Sequence, residues 1–487
     1  MANASPQFGS IKPSQKQTAL ETNYLNFANG SGNDFAQQYL PEIYEQEVER
    51  FGNRTLSGFL RMVGAEMPMS SDQVIWSEQN RLHIAYTDVS CASATTLQFA
   101  VGGTGKTFVN NVISVGQTLV VMSPSTGLEL KVLVTASTAG TTNPAVITVA
   151  PYTQLDLTTG AGNTVNFTGA TNLKIFVYGS EFKKGTTDST INTVNPSFTQ
   201  YNNSPIIIKE KYQISGSDTA QIGWVEVATE DGTGGFLWYL KAESETRLRF
   251  EDYLEMAVIE GELAASTGGV YAIAATGDGA KYKGTQGLFA AIKDRGNVVN
   301  NFTAASGLSD FDSILKNLDT QGAIEENMFF LNRATSLDFD DMLASLSSGS
   351  QGGVAYGLFE NSEQMALNLG FSGFRRGSYD FYKTDWKYLN DASTRGGMAN
   401  TSIDGVLIPA GTSTVYDQQL GTNIRRPFLH VRYRANQADD RRMKSWITGS
   451  VGGAYTSDLD AMQVHFLSER CLVTQAANNF VLFTASV

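Results

Sequence analysis

The chain has 487 residues, with 35 Lys and Arg against 48 Asp and Glu, which gives a formal net charge of −13. At roughly 150 residues per domain, this length predicts about three structural units. The acidic balance argues against non-specific binding to DNA or to an anionic membrane, because the overall field repels phosphate. The two cysteines, Cys91 and Cys471, are too few for a disulfide framework or a zinc ribbon, and free thiols suit a reducing compartment.

The N-terminal region divides into a polar segment and a predicted helix. Residues 1–33 are rich in Gln, Asn, Ser and Gly, and they are either a frayed terminus or an arm that becomes ordered on a neighbour. Residues Asp34–Phe51 predict a helix or a helix pair, with Pro41 tolerated in a first turn and Gly52–Asn53 as its end. The first residues lack the features of a signal peptide, and the apolar runs are too short to span a membrane.

A weakly charged segment follows. Residues 91–180 carry five charged residues, whereas 17% of the whole chain is charged. Strand-length runs of Thr, Val and Ala alternate there with turn sequences rich in Gly and Asn. We therefore expect an all-β insertion folded as a small barrel or sandwich. Because its strand edges lack charges, we expect it to pack on something or to be covered by neighbours.

One motif in this insertion satisfies a permissive phosphate-loop pattern. Ala100–Thr107 reads AVGGTGKT, with Ala in place of the first Gly. A working phosphate loop needs a helix directly after it, because the helix N-terminus and its amides bind the phosphates. The residues that follow, FVNNVISVGQTLVV, are β-branched and strand-like. We interpret Gly102–Gly105 as a hairpin turn.

The stretch from Asp231 to Leu263 predicts the longest helix. It runs for about thirty residues without proline, which corresponds to roughly 45 Å at about 1.5 Å per residue. Phe250, Leu254 and Val258 continue one apolar stripe along it. A long helix with charge on much of its surface typically serves as a spine against which sheets pack.

Four charged residues of this helix are candidates for ordering the spine and its surroundings. Two i,i+4 pairs stand in the favourable orientation, each worth about 0.2–0.5 kcal/mol. They are Glu243–Arg247 and Glu245–Arg249.

The remaining half of the chain predicts a mixed α+β region. The spacing of apolar residues favours helices at Leu308–Leu318 and Leu337–Leu346, and strands at Met328–Leu331, Val406–Ile408 and Phe428–Tyr433. The last residues predict two strands joined by a turn at Ala477–Asn479, which should complete a sheet begun elsewhere.

The sequence offers little support for catalysis or metal binding. The three histidines, His83, His430 and His465, have no ligand spacing, and no known catalytic motif is present. Adjacent carboxylates such as Asp439–Asp440 point to different sides of an element, which is a poor geometry for acid–base work. Arginine clusters could contact phosphate, but in an acidic chain we expect bridges to carboxylates on neighbours. The clusters are Arg375–Arg376, Arg425–Arg426 and Arg432, Arg434, Arg441, Arg442.

Several segments, taken in order, resemble the major capsid proteins of tailed double-stranded DNA bacteriophages. They are similar to that family's opening PEI helix, the return from its extended loop, the spine helix, the segment after the spine and the closing strands. In this sequence they are Tyr39–Val63, Tyr178–Thr186 followed by Phe198–Ser217, Trp238–Glu262, Gly284–Asn297 and Leu467–Ser486. Each is weak alone, and their order and spacing carry the resemblance. The Asn- and Gly-rich composition and the large insertion further resemble the crAss-like phages.

The resemblance implies an α+β chain with the tailed-phage capsid fold of the Hong Kong 97 type. The expected division is an N-terminal arm and first helix at 1–55, an extended loop region at 56–200 with an inserted β domain at about 91–177, a peripheral domain at 201–289 and 456–487 with its spine helix at 234–263, and an axial domain at 290–455.

The resemblance also implies a structural subunit without enzymatic activity or a cofactor. Such a subunit self-assembles into hexamers and pentamers and forms the icosahedral head that encloses the phage genome. The expected partners are copies of itself and the portal, scaffold and decoration or head-fibre proteins. It would enclose double-stranded DNA without sequence-specific binding, contact no membrane, assemble in the host cytoplasm and end in the virion.

Two other functions stay open from the sequence alone. A secreted β-rich adhesin or surface-layer protein fits the Thr, Gly and Asn content, but it lacks a signal peptide and leaves the long helix unexplained. A nucleotide-binding enzyme would use Lys106 and Thr107 of the motif Ala100–Thr107.

The nucleotide hypothesis has a direct test in Lys106→Ala. If Gly102–Gly105 is a hairpin turn, wild type and variant will both bind a fluorescent ATP analogue only at background level, and their thermal midpoints will agree. Saturable binding by the wild type that Lys106→Ala abolishes would restore the enzyme hypothesis.

Overall fold

The computed structural model describes residues 66–79, 83–99, 111–138, 145–158, 162–185, 198–217, 226–228, 234–273, 282–300, 308–321, 324–339, 372–391, 394–397, 403–417, 421–451 and 455–484. They fall into two compact units: a main unit up to Trp76 and from Tyr201 onward, and an inserted unit from Ser77 to Gln200. The predictions for residues 1–33 and Asp34–Phe51 lie outside the described residues, as does most of the helix predicted at Leu337–Leu346.

Among the described residues, the main unit contains two larger sheets with helices packed against them. Its strands are β1 (Glu66–Met69), β2 (Val74–Gln79), which continues into the inserted unit, β9 (Phe198–Asn203), β10 (Ile206–Ser215), β11 (Glu226–Ala228), β12 (Gly234–Phe236), β13 (Asn297–Asn300), β14 (Glu326–Leu331), β15 (Ser372–Arg376), β16 (Tyr379–Asp385), β17 (Gly405–Pro409), β18 (Thr412–Asp417), β19 (Gly421–Pro427), β20 (Leu429–Arg434), β21 (Lys444–Gly449), β22 (Ala461–Thr474) and β23 (Val481–Thr484). Its helices are α1 (Leu237–Glu260), α2 (Gly269–Ala272), α3 (Leu288–Arg295), α4 (Leu308–Gln321) and α5 (Lys387–Asn390), with short 3₁₀ turns at Arg395–Gly397 and Ala477–Asn479. Residues 333–339 are also helical.

The first sheet is built around one long strand. The sheet has the order β1-β20-β22-β10, and β21 also pairs with β22. The 14-residue strand β22 pairs antiparallel with β10 from Ile206 opposite Arg470 to Ser215 opposite Ala461. Helix α1 packs on these two strands. This pairing therefore creates the surface that receives the long helix.

The second sheet has a core dominated by aromatic rings. Its order is β13-β23-β17-β14-β16-β15, and α4 packs against it through Phe311, which is 1% exposed. The Phe311 ring lies 5.2 Å from the ring of Phe381 and 5.3 Å from that of Phe339, both edge-on, and the Phe329 ring lies 5.6 Å from that of Phe483. Edge-on and offset contacts are the favourable arrangements for aromatic side chains, so this cluster fixes α4 against the sheet.

A third cluster joins the two sheets. It consists of fully or nearly buried side chains from α1, α3, α5 and both sheets. Val258 and Ile259 come from α1, Leu472 comes from the first sheet, and Leu482 comes from the second. The two sheets and the long helix thus share one continuous hydrophobic core.

The tail contributes a strand to each of the two sheets. The two predicted strands exist with the 3₁₀ turn Ala477–Asn479 between them, but β22 belongs to the first sheet and β23 to the second. Ala476, just before the turn, adopts the left-handed conformation at φ 51° and redirects the chain. The strands β20 and β21, inside the range 290–455 expected for the axial domain, also belong to the first sheet. Long-range pairing of this kind leaves no local signal in a sequence.

The inserted unit is a closed barrel. Its strands are β3 (Ala85–Cys91), β4 (Thr96–Phe99), β5 (Gln117–Met122), β6 (Glu129–Thr138), β7 (Val146–Pro151) and β8 (Leu173–Ser180), in the order β3-β4-β7-β6-β5-β8. On β6 the buried residues Leu130, Val132 and Val134 alternate with the exposed residues Glu129 and Lys131. The barrel begins before residue 91 and ends after residue 177. Closure leaves no free strand edge, which explains how this segment manages without charged edge residues.

The aromatic core of the second sheet generates a stability prediction. Phe329 is 1% exposed, and its replacement in Phe329→Ala removes a ring that packs on five phenylalanines. We expect a loss of about 3–5 kcal/mol in the free energy of unfolding, measured by urea unfolding followed by tryptophan fluorescence. Leu337→Ala, at a residue that is 52% exposed, is the control and should change it by less than about 0.5 kcal/mol. Equal effects of the two changes would contradict this packing.

Candidate functional site

The long helix α1 is the element around which the candidate site is built. Its 24 residues correspond to about 36 Å, which is shorter than the expected range 234–263. At the start, residues 234–236 form strand β12, and at the end Leu263 is already in an isolated bridge with Gly284. A Cβ on Gly261 would lie 2.6 Å from the carbonyl oxygens of Ala257 and Thr285, so the chain leaves the helix where a side chain does not fit.

The arginines of the predicted salt bridges contact other carboxylates. Arg247 Nε lies 3.5 Å from Glu251 Oε1, one turn further along the helix, and Arg249 Nη2 lies 3.5 Å from Glu210 Oε1 on β10. Pairing of these arginines with Glu243 and Glu245 stays a prediction. The sheet partner of Arg249 could not be inferred from helical spacing, because Glu210 comes from a strand far away in the sequence.

The last residue of α1 makes a partly buried ionic contact that the sequence did not indicate. Arg395 approaches Glu260 with both ends of its guanidinium group, Nε at 2.5 Å from Oε1 and Nη2 at 3.0 Å from Oε2. The Tyr388 hydroxyl donates to Glu260 Oε1 at 2.6 Å, and the guanidinium also lies 5.4 Å from the ring centre of Phe289. Paired hydrogen bonds between guanidinium and carboxylate are among the strongest in proteins. They tie the end of α1 to the segment that follows α5.

The protonation of this cluster follows from its contacts. Burial raises the pKa of Glu260, but the hydrogen bonds from Arg395 and Tyr388 and the nearby positive charges outweigh it, so the pKa lies below its usual value. Burial and the hydrogen bond to Glu260 raise the pKa of Tyr388. The hydrogen bond to Glu260 raises the pKa of Arg395 despite partial burial. At neutral pH the carboxylate is therefore charged and the tyrosine is neutral.

A second charged network lies on the first sheet and corrects an expectation. The buried carboxylate of Glu469 lies 2.9 Å from Arg434 Nε and 3.2 Å from Arg441 Nε. The buried carboxylate of Glu66 lies 3.1 Å from Arg442 Nε and 3.7 Å from Nη1 of Arg470. Of the cluster expected to bridge to carboxylates on neighbours, Arg434, Arg441 and Arg442 pair with carboxylates of the same chain. Arg432 instead donates to the carbonyl of Pro68 at 3.3 Å. The acids lie on β1 and β22, and the sheet brings them to the arginines.

Arg375 and Arg376 also bind carboxylates of the same chain. Arg376 pairs with Asp312 through Nε at 2.9 Å and Nη2 at 2.6 Å, which connects β15 to α4. Arg375 Nε lies 3.4 Å from Asp380. The side chains of Arg425 and Arg426 lie outside the described residues.

Histidines and possible ligand groups give no sign of a metal centre in the part of the chain that the structure describes. His430 is buried and bonds through Nδ1 to the carbonyl of Pro427 at 3.0 Å. His465 stacks on Trp446 and bonds to Thr448 Oγ1 at 2.7 Å. Over the described ranges, no group of three or more His, Cys, Asp or Glu is placed to hold a metal ion. No described helix combines the length and apolar character needed to cross a membrane.

The motif Ala100–Thr107 lies outside the described residues, but its surroundings bear on the nucleotide hypothesis. Strand β4 ends at Phe99, residues 111–116 are not helical, and β5 begins at Gln117. A phosphate loop needs a helix directly after the lysine and threonine. The absence of a helix in residues 111–116 argues against a phosphate loop. Strand β4 pairs with β3 and β7, and β5 pairs with β6 and β8, so the hairpin turn expected at Gly102–Gly105 does not join β4 to β5.

Comparisons with known proteins give structural matches only. No protein-family model and no curated protein matches the chain. The structure from Microbacterium phage Oxtober96 is 10% identical and covers 93% of this chain and 98% of that chain, with a TM-score of 0.38. The structure from Mycobacterium phage Cain is 12% identical and covers 63% and 80%, with a TM-score of 0.31. The asymmetric unit of the bacteriophage PhiM1 mature capsid is 10% identical and covers 63% and 79%, with a TM-score of 0.32.

The matching structures described above come from bacteriophages, and the PhiM1 structure is that of a mature capsid.

The cluster at the end of α1 generates a pH-dependent prediction. Glu260→Gln keeps the shape of the side chain and removes its charge. We expect the variant to lose about 1–2 kcal/mol of the free energy of unfolding at pH 7, because a hydrogen-bonded charge pair is broken and the carboxylate is partly exposed. The pKa of Glu260 is lower in the folded protein. The difference should therefore be complete above the unfolded carboxyl value of about 4.3 and should shrink as the pH falls through the lower folded value.

Urea unfolding at pH 7 and at pH 4 measures this difference. Glu210→Gln removes the carboxylate that lies 3.5 Å from the 43% exposed Arg249 side chain; it is the control and should cost less than about 0.5 kcal/mol at both pH values. A larger effect of Glu260→Gln at pH 4 than at pH 7 would show that the folded carboxyl is not stabilised in its charged form.

Proposed function

We propose that this chain is the structural subunit of an icosahedral bacteriophage head, and that it self-assembles into hexamers and pentamers around the phage genome. The observation that carries the proposal is the way the family-like segments fold together. Phe198–Ser217 supplies β9 and β10, Trp238–Glu262 supplies most of α1, and Gly284–Asn297 contains α3. Leu467–Ser486 supplies the end of β22 and all of β23.

These segments form one packed body although they are distant in sequence. Helix α1 lies on β10 and β22, and Ile208 of β10 packs against the buried cluster that contains Phe250 of α1. Val258 of α1, Ile292 of α3 and Leu472 of β22 share another buried cluster. Residues that resemble a family only in order and spacing thus pack on one another, which supports a common architecture over four unrelated likenesses.

The proposed division of the capsid fold follows the sheets of the main unit. The first sheet with α1 would be the peripheral domain, and the second sheet with α4 would be the axial domain. The strands β2 and β9 would be the root of the extended loop, and the barrel would be its insertion. In this proposal β20 and β21 belong with the peripheral domain and β23 with the axial one, unlike the limits expected from the sequence.

The charge of the chain is compatible with a shell. A net charge of −13 would let packaged DNA slide along a wall without strong binding. Many modest contacts repeated in a closed lattice give stability through multivalency. We propose that portal, scaffold and decoration or head-fibre proteins are its other partners, that assembly takes place in the host cytoplasm, and that the virion is its final location.

Expression of the full chain, alone and together with the other head proteins of its phage, tests this function. Light scattering of the purified protein should detect particles in the megadalton range or capsomers of five or six 52.7 kDa subunits. Electron microscopy should show shells or tubes. A stable monomer under every one of these conditions would refute the proposal, and delivery of the chain to the surface of the expressing cell would favour an adhesin.

A further inference from the structure

A buried arginine lies between two aromatic rings of the main unit. Arg295 ends α3, and its side chain is 9% exposed. Its guanidinium carbon lies 4.4 Å from the ring centre of Tyr201 and 5.4 Å from that of Trp76. The two rings are 6.2 Å apart. The arginine therefore contacts both rings at the same time.

The two aromatic residues lie on the two strands that connect the main unit to the inserted unit. Trp76 lies on β2, the strand by which the chain leaves the main unit, and Tyr201 lies on β9, the strand by which it returns. These two strands pair with each other as a two-stranded sheet. A single side chain from α3 thus contacts both strands where they meet the main unit.

The guanidinium of Arg295 is also held from the side of the main unit. Nη2 donates to Gln286 Oε1 at 3.2 Å, and Nη1 donates to the carbonyl of Thr474 on β22 at 3.5 Å. A planar guanidinium can stack on aromatic rings while it donates in its own plane, which an ammonium group cannot do. Arg295 therefore makes stacking contacts and in-plane hydrogen bonds that a lysine could not make at the same time.

A buried asparagine, Asn203, holds the end of β9, the strand that contains Tyr201. Asn203 is 1% exposed, and its amide donates to the carbonyls of Gln286 at 2.9 Å and Leu472 at 2.6 Å. Its side-chain oxygen accepts from the backbone amides of Ser204 and Gln286, each at 2.8 Å, and from the Thr285 hydroxyl at 3.2 Å. Asn203 and Arg295 meet at Gln286. Together they connect β9, the segment before α3 and the central strand β22.

We propose that Arg295 and Asn203 form a root clamp, which fixes β2 and β9 in the main unit, and that Arg295 is the positioning residue for both strands. Asn203 holds the end of β9 by hydrogen bonds, whereas Arg295 contacts both β2 and β9. If the chain assembles as proposed above, the clamp holds the strands at the root of its extended loop and is needed for assembly. That consequence depends on the proposed function, whereas the clamp itself does not.

Hydrogen exchange of the full chain tests the clamp in Arg295→Lys and Arg295→Ala. Both variants should exchange the amides of β2 and β9 at least tenfold faster than wild type, because neither lysine nor alanine can stack on two rings and donate in plane. The amides of the barrel strands β5 and β6 and of the β10–β22 pair should keep their wild-type rates. Lys293→Ala, at an exposed residue of the same helix, is the matched control and should change none of these rates.

Two outcomes would overturn the clamp. Wild-type exchange of β2 and β9 in Arg295→Lys would show that positive charge alone is sufficient at this position. Faster exchange throughout the main unit in both Arg295 variants would show an ordinary core role. Tyr201→Leu keeps Arg295 and removes one ring, so it should reproduce the local effect even if the Arg295 variants fold poorly, and its failure to do so would also refute the clamp.

Particle assembly by the same variants tests the clamp and the proposed function independently of each other. If wild type forms particles, Arg295→Lys should lower their yield at least tenfold at an unchanged thermal midpoint of the barrel, and Lys293→Ala should not. Normal particle yield together with locally faster exchange would refute the assembly role and keep the clamp. Absence of wild-type particles would instead refute the proposed function, and the exchange data would still decide on the clamp.

Discussion

The antiparallel pairing of β10 with β22 is the constraint on which the main unit depends. It brings together residues such as Gln213 and Gln463, which lie 250 positions apart and whose side chains hydrogen-bond at 2.8 Å. Closing so large a loop costs entropy, which the ladder and the packing of α1 must offset. Once the pair exists, one face receives Phe250 and Leu254, and the sheet gathers the carboxylates of Glu66 and Glu469 near their arginines.

Local patterns predicted much of the secondary structure, because each pattern is contained in a few neighbouring residues. The helix expected at Leu308–Leu318 extends to Gln321, and the strand expected at Val406–Ile408 runs from Gly405 to Pro409. The weak charge and β-branched residues of the insertion correctly indicated an all-β module. Which strand pairs with which was not predictable, because alternation defines a buried face and leaves the partner strand undefined.

The polar contacts were the least predictable part of the candidate site. Helical spacing suggested Glu243 and Glu245 as partners of the arginines on α1, which stays a prediction, and it gave no sign of the contact between Arg249 and Glu210 on a strand. Glu260 and Arg395 are 135 positions apart, and neither is in a recognisable motif. A charged side chain on a surface helix and one in a buried pair look alike in sequence. Only the packing that removes water from them distinguishes the two.

The switch of the tail from one sheet to the other has a consequence for synthesis on the ribosome. The first sheet can be completed only after translation has passed Thr474, the end of β22, and the second only after it has passed Thr484, the end of β23. The barrel needs only Ala85–Ser180 and can close while later residues are still being added. A nascent chain would therefore contain a folded barrel before either sheet of the main unit is complete. This order of events delays every surface made by the two sheets until the end of elongation through this region.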